Sequence, residues 1–429
     1  MPGVVAYIDQ HVQVGQEATP NTPVSAAKRL QSLTLEFTDE IDTQQFNPTG
    51  YRFDTLSMLN KAWTGIKAGG PLSFTESLYV IEAALGAVSA STQGVNGKLR
   101  TYDVPLTGAI SPKTLTTQFG DATYANQAAG AFFASLGAKY SRETNAVWDG
   151  VDGYAQRILD GGTTFSGSPT TVPEQPVRGP HLNFYLDSTS ANLGVTQITE
   201  EVLEGSWNLK DLLKLFWAAD RSQASYKKAL SNEAGKYGAK LSLGESAVVR
   251  AIDAAMMLNR TYFLRIENKG DMLDNQNVLT ITGTPTGGTF TLTYKGQTTG
   301  AIAYNAAAGA VQTALEALTK IGVGNVTVTG GPGPGTPWTV SFLSGLLQND
   351  TSVLTHADSF TGGSSPALGI VQTLTPYEHT VDCAIKLMKK ASWGNHDSVY
   401  ARDMDFTLIG DPTWGHALMI KSVTGLASL

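Results

Sequence analysis

The sequence predicts a mainly β chain with flanking helices, built as a duplicated β-sandwich that carries an inserted small β-rich module, Ig-like or α+β. Three observations predict it. Gly occurs 45 times and charged residues make up only 16% of 429 positions, a weakly charged, turn-rich balance that suits many short strands. Short runs alternate apolar with polar residues, as Leu33, Leu35 and Phe37 do. Leu72–Val80 also matches Leu241–Val249 without a gap at Leu, Ser, Glu, Ser and Val. A duplicated domain explains that match; two capping boxes that converged for the same local reason are the other reading. At about 100–200 residues per domain, the length suits two to four domains.

Residues 1–30 are polar, carry Pro20 and Pro23, and read as an N-terminal arm or peripheral strand that orders on a neighbour. The first sandwich is placed at 31–165. It opens on the strand Ser32–Phe37, followed by a long Gly-, Thr- and Asn-rich loop over 39–71, a length that usually signals function or a partner. Ser73-Phe-Thr-Glu76 has capping-box spacing and predicts a helix over Phe74–Leu85, stopped by Gly86. Leu99–Leu106, Lys113–Phe119, Ala131–Tyr140 and Asn145–Trp148 read as strands. The Gly/Ser/Thr/Pro-dense stretch Gly161–Pro180 marks a boundary, with 166–180 as the linker.

The second sandwich is placed at 181–275 and 376–429. Leu209, Leu212, Leu213, Phe216 and Trp217 share one helical face and predict a helix over Leu209–Ala219. Ser242-Leu-Gly-Glu245 predicts another through Val248, Val249, Ile252 and Met256. Thr380–Leu387, Tyr400–Ile409 and Leu418–Leu426 close the domain as strands. Between them, 276–375 holds only Lys295, Glu316, Lys320, Asp350 and Asp358 as charged side chains. It reads as strands Val278–Gly283 and Thr289–Tyr294, then a helix capped by Asn305 with Val311, Leu315 and Leu318 inward. Strands Asn325–Thr329 and Trp338–Phe342 follow, so this is an inserted exterior module of its own.

Chemistry finds little foothold. His11, His181, His356, His379, His396 and His416 never fall at helical metal-site spacing, and Cys383 stands alone, so neither a disulfide nor a thiolate metal site is expected. His396-Asp397 with Arg402, Asp403 and Asp405 is the most active-looking cluster; a solvated or intersubunit strand face is its plainer reading. Gly330–Gly335 resembles a phosphate loop, but Pro332 and Pro334 lack the N–H groups such a loop needs, and it reads as a hairpin turn. Gly97-Lys98 and Gly235-Lys236 lack the Ser or Thr of a P-loop. No catalytic residue, metal or cofactor is expected, and the chain is not read as an enzyme. The formal charge of −7 argues against a nucleic-acid wrapper, whose Lys/Arg clusters must displace counterions. The N-terminus has no signal-like charge and apolar run, and no apolar stretch is long enough to span a membrane.

Several segments resemble the major tail tube proteins of long-tailed, siphovirus-type bacteriophages. They are Val14-Gly-Gln-Glu-Ala-Thr-Pro-Asn-Thr22, Phe184-Tyr-Leu-Asp-Ser-Thr189, Tyr262-Phe-Leu-Arg-Ile-Glu-Asn-Lys-Gly270 and Val423-Thr-Gly-Leu-Ala-Ser-Leu429. Gly288–Gly296, Tyr304–Leu318 and Gly324–Thr329 resemble a small β module of phage virion proteins. The resemblance implies a tail-tube-like β-sandwich in each half, and self-association into stacked rings, as hexamers or as trimeric pseudo-hexamers. It further implies tape measure and tail terminator proteins as partners, and a virion location after assembly in the host cytoplasm. DNA would pass through the lumen without specific binding, over a neutral or acidic lining. Tail terminator, capsid decoration protein and glycan-binding adhesin are the alternatives.

Overall fold

The computed structural model describes residues 11–121, 125–156, 158, 165, 167–199, 201–217, 228–232, 235–347, 351–396 and 398–429. Residues 1–10 lie outside them. The protein is mainly β, with a few short helices.

In the first half the elements are β1 (His11–Gln16), β2 (Lys28–Leu30), β3 (Thr34–Phe46), β4 (Leu56–Gly69), α1 (Ser77–Leu85), β5 (Gly97–Pro105), β6 (Leu115–Gly120), β7 (Ala125–Phe133), β8 (Leu136–Ser141) and β9 (Val151–Ala155). The second half begins with β10 (Leu182–Asp187), β11 (Gln197–Ile198), β12 (Val202–Lys210), β13 (Leu213–Phe216), β14 (Lys228–Ser231), β15 (Lys236–Gly244), α2 (Ala247–Met256) and β16 (Tyr262–Thr282). The module adds β17 (Gly287–Tyr294), α3 (Ala308–Glu316), β18 (Val326–Gly330), β19 (Trp338–Phe342) and β20 (Thr355–Thr361). The chain ends on β21 (Ala367–Lys390), β22 (Gly394–His396), β23 (Val399–Leu408) and β24 (His416–Thr424).

The two halves repeat one topology. Across the first sheet the strands run β2-β1-β6-β7-β9-β4-β3, and across the second β11-β10-β16-β21-β23-β15-β12. Each neighbour pair in both series is antiparallel. Taken by position in the chain, the two orders are the same. Each half opens on a central strand, continues into a long hairpin and a helix, and returns three strands to the sheet. β13 and β14 prolong the second hairpin beyond β12 and β15.

The halves are nevertheless not separate bodies, as boundaries at 165 and 181 imply. β8 pairs along β12, β5 pairs along β24, and one hydrophobic core runs from Val12 to Ile420. α1 lies inside it, with every residue from Ser77 to Ala84 buried. An open strand edge accepts a strand from either half, so the chain boundary and the packing boundary differ. The module has its own core, built on Leu279, Phe290, Tyr294, Val311, Leu315, Trp338 and Val340. It is carried on one ladder, β16 with β21, paired from Tyr262↔Ile385 to Thr282↔Ala367 with irregularities around Met272.

Several expectations are corrected. The arm 1–30 is part of the sheet from His11 onward, because Val12 and Val14 are buried and β1 pairs with both β2 and β6. The linker 166–180 is packed: the Val177 N–H donates to the Leu72 carbonyl, and Val172 and Val177 are buried. The loop 39–71 is the hairpin β3–β4. Leu209–Ala219 is not helical where described. Leu209 lies just before the end of β12 at Lys210, and Leu213 opens β13, with Asp211 at φ 55° breaking the strand between them, so a kinked strand imitates helical spacing. Residues 218 and 219 lie outside the description. Ala131–Tyr140 is two strands, broken at Ala134–Ser135.

Neither capping box forms. Ser246 caps α2, its hydroxyl accepting from the Val249 N–H at 3.1 Å, while Ser242 sits in β15. Glu76 turns away from α1 to accept hydrogen bonds from the N–H groups of Gln31, Ser32 and Leu33 and from the Ser32 hydroxyl, at 2.5–3.2 Å. The helix cap gives way because a buried carboxylate gains more from several donors at once. Likewise α3 begins after Ala307, and Asn305 does not cap it.

Candidate assembly surface

The hairpin β3–β4 leaves the body. β9 covers β4 only over Thr64–Ala68, yet β3 and β4 stay paired from Glu40↔Trp63 to Phe46↔Leu56. The overhang is roughly 20 Å long at the usual rise per strand residue. Its apolar side chains face water: Phe53 is 77% exposed, Tyr51 64%, Phe46 58% and Met58 51%. A monomer gains nothing from such a patch, and contiguous exposed apolar surface marks an interaction site. At its base Trp63 meets Trp217 of the second hairpin edge-on at 5.8 Å, and Lys61 lies over the Trp217 ring at 5.4 Å. The loop that sequence reading assigned to a partner is therefore a two-stranded ribbon, in contact at its base with the second hairpin.

Buried carboxylates hold the turns that place these ribbons. Glu17, just past β1, accepts from the Asn21 and Gly130 N–H groups and the Thr116 hydroxyl. Asp187, ending β10, accepts from the N–H groups of Gly194, Val195 and Thr196. Glu82 on α1 accepts from Gln16 and Tyr102 within the core, with Arg100 3.9 Å away; burial raises its pKa from its ordinary value, opposed by those partners. Asp274 anchors the module's stalk to the first half, accepting from the N–H groups of Val95 and Asn96 and from the Asn96 side chain.

A second network crosses the halves. The Trp207 indole donates to the Tyr140 oxygen at 3.0 Å, and the Tyr140 hydroxyl lies 2.9 Å from His379 Nε2. The His379 tautomer sets which of these two groups donates to the other. Burial lowers the His379 pKa to about 4, which keeps the ring neutral. Sequence reading missed this residue, since nothing near position 379 distinguishes a core histidine from an exposed one.

The cluster around His396 resolves into ion pairs on a sheet face; Asp397 lies outside the described residues. Asp403 and Asp405 do share a face, opposite Ser242 and Lys240 of β15. Lys240 Nζ is 2.7 Å from Asp403, and the Ser242 hydroxyl donates to Asp403 at 2.6 Å. Burial pushes the Asp403 pKa up, but these two partners outweigh it and hold it below the usual range. Arg402 binds Asp253 of α2 at 2.9 Å and lies over the Trp393 ring, committing it to structure. Among the described residues no three His, Cys, Asp or Glu are placed to share a metal ion, and no helix is long and apolar enough to cross a membrane. Gly330–Gly335 joins β18 to β19, as a hairpin turn.

Comparison with known proteins then adds one relationship. Over 108 residues the chain is 40% identical to the tail sheath protein of Mycobacterium phage Bxz1. The likeness is to a phage tail protein. It covers 25% of this chain and 17% of that protein, so the chain spans a small part of its relative's length. No family model matches.

Proposed function

We propose that this chain is a structural subunit of a bacteriophage tail, polymerising as stacked rings into the tube through which DNA leaves. The observation that carries the reading is the repeated strand order with a long hairpin in each half, the first of which projects. Two equivalent units in one chain supply the material of a pseudo-sixfold ring from three copies. Exposed aromatic side chains on the first hairpin supply a contact that only another molecule can bury. Donor and acceptor surfaces differ, so the contact is heterologous and extends along an axis without limit. In this reading a tape measure protein fills the lumen during assembly, a terminator caps the tube, and DNA passes without specific contacts.

The similarity to a tail sheath protein favours a second reading, in which the chain wraps a tube rather than forming one. The tube is preferred because the match spans 25% of this chain and 17% of that protein, too small a share to carry the role of the whole. Negative-stain microscopy of the purified protein separates the readings. A tube protein gives open-ended tubes by itself, with a bore just wide enough for duplex DNA. Tubes whose bore would hold another tube indicate a sheath, and particles that never elongate overturn both.

A further inference from the structure

The first half closes an edge of the second. β8 falls between β7 and β9 in the chain, yet it pairs along the outer edge of β12 from Glu204↔Ser141 to Leu209↔Leu136. Lys139 on the donated strand lies 3.0 Å from Glu204 on the accepting one. In the first half the position of β12 belongs to β3, and among the described residues β3 pairs with β4 alone. The open stretch is not the overhang. Leu35–Asp39 pairs with Thr64–Ala68 of β4, which is also the stretch that β9 covers, and Glu204–Asn208 stands in the same relation to β15 and β23. One of two equivalent edges is thus covered within the chain and the other presents unpaired backbone groups above a buried Leu35. An edge of that kind is a template for another strand.

We infer that a second copy of this chain closes β3 in the way β8 closes β12. The donor is the stretch of that copy that ends β21 and continues through β22, residues 388–396, which follows β21 in the chain as β8 follows β7. Within the described residues β22 is a strand of three residues paired to β23. Charge agrees with the internal precedent. Glu36 and Glu40 are exposed along β3, and Lys389 is exposed on the donor segment, as Lys139 faces Glu204 inside the chain. Because donor and acceptor lie in different halves, each copy offers both, and the contact repeats until a ring closes. This inference rests on the ring-forming reading above and adds the lateral contact to it.

Charge exchange in the full-length protein tests it. Glu36→Lys and Lys389→Glu should each raise the concentration for half-assembly about tenfold, with unchanged circular dichroism, while Glu36→Lys with Lys389→Glu recovers most of the loss. Amides 34–40 should become protected from hydrogen exchange when the protein assembles. If tubes form while those amides exchange as fast as in the free chain, the β3 contact is wrong and the tube reading stands. Protection without charge rescue overturns the donor segment, and a chain that stays monomeric at all concentrations overturns contact and tube together.

Discussion

Glu17 and Asp187 hold the same position in the two halves: each closes the opening strand of its unit and turns a buried carboxylate onto the N–H groups of the next turn. Both are followed at the second position by Thr, in Glu17-Ala-Thr19 and Asp187-Ser-Thr189. Removing either carboxylate strands several buried donors. Glu17→Ala and Asp187→Ala should each cost about 2–4 kcal/mol. Urea denaturation checks this, and losses under about 0.5 kcal/mol, as at ordinary surface positions, would show that the turns hold without them.

His379 sets a pH dependence of known sign. Its folded pKa is about 4, below the unfolded value, so above pH ~6.5 both states are neutral and the full stability is present. As pH falls from there toward 4 the unfolded chain takes up a proton that the folded chain refuses, and stability drops by about 3 kcal/mol before levelling. His379→Gln should lose this component while carboxylate titrations remain. Identical pH profiles for both proteins between pH 7 and 4 would refute it.

The first half shows how to remove the module. β6 and β7 correspond to β16 and β21, and they are joined by residues 121–124 alone. Because Met272 pairs with Pro376, the ladder can close at that point. Replacing Gln276–Thr375 with a short Gly/Ser turn should give a folded protein that assembles with an unchanged bore and a thinner outer profile. Misfolding would mean that the module supports the wall, with the clamp from Asp274 to Val95 and Asn96 as the first suspect.

Elongation should depend on the hairpin tip. Tyr51→Asp with Phe53→Asp alters side chains exposed to water, so the monomer's stability should change by no more than about 0.5 kcal/mol while long tubes disappear. Tubes of normal length by electron microscopy would assign the apolar ribbon another role. Deleting residues 1–30 should instead unfold the protein, because it strips Val12 and Val14 from the core; soluble, folded subunits would contradict the pairing of β1 with β6.

Local pattern by itself determined the β class, the positions of α1 and α3 and most strands, and the module, whose low charge and alternating apolar residues specify a core that closes within about 100 residues. It also revealed the echo between Leu72–Val80 and Leu241–Val249, since similar sequence survives where similar hairpins lead into helices. Only the tertiary structure decided where polar groups found their partners. Glu76 left its helix cap for the backbone of 31–33, the apolar stripe after Leu209 became two strands once β15 lay beside it, and a polar arm became a central strand between β2 and β6. In each case the local preference is worth about 1 kcal/mol or less, and a long-range partner invisible to spacing outweighs it. The sharing of one core by both halves has the same cause: which edges β5 and β8 cover depends on contacts between residues far apart in the chain, and no periodicity encodes them.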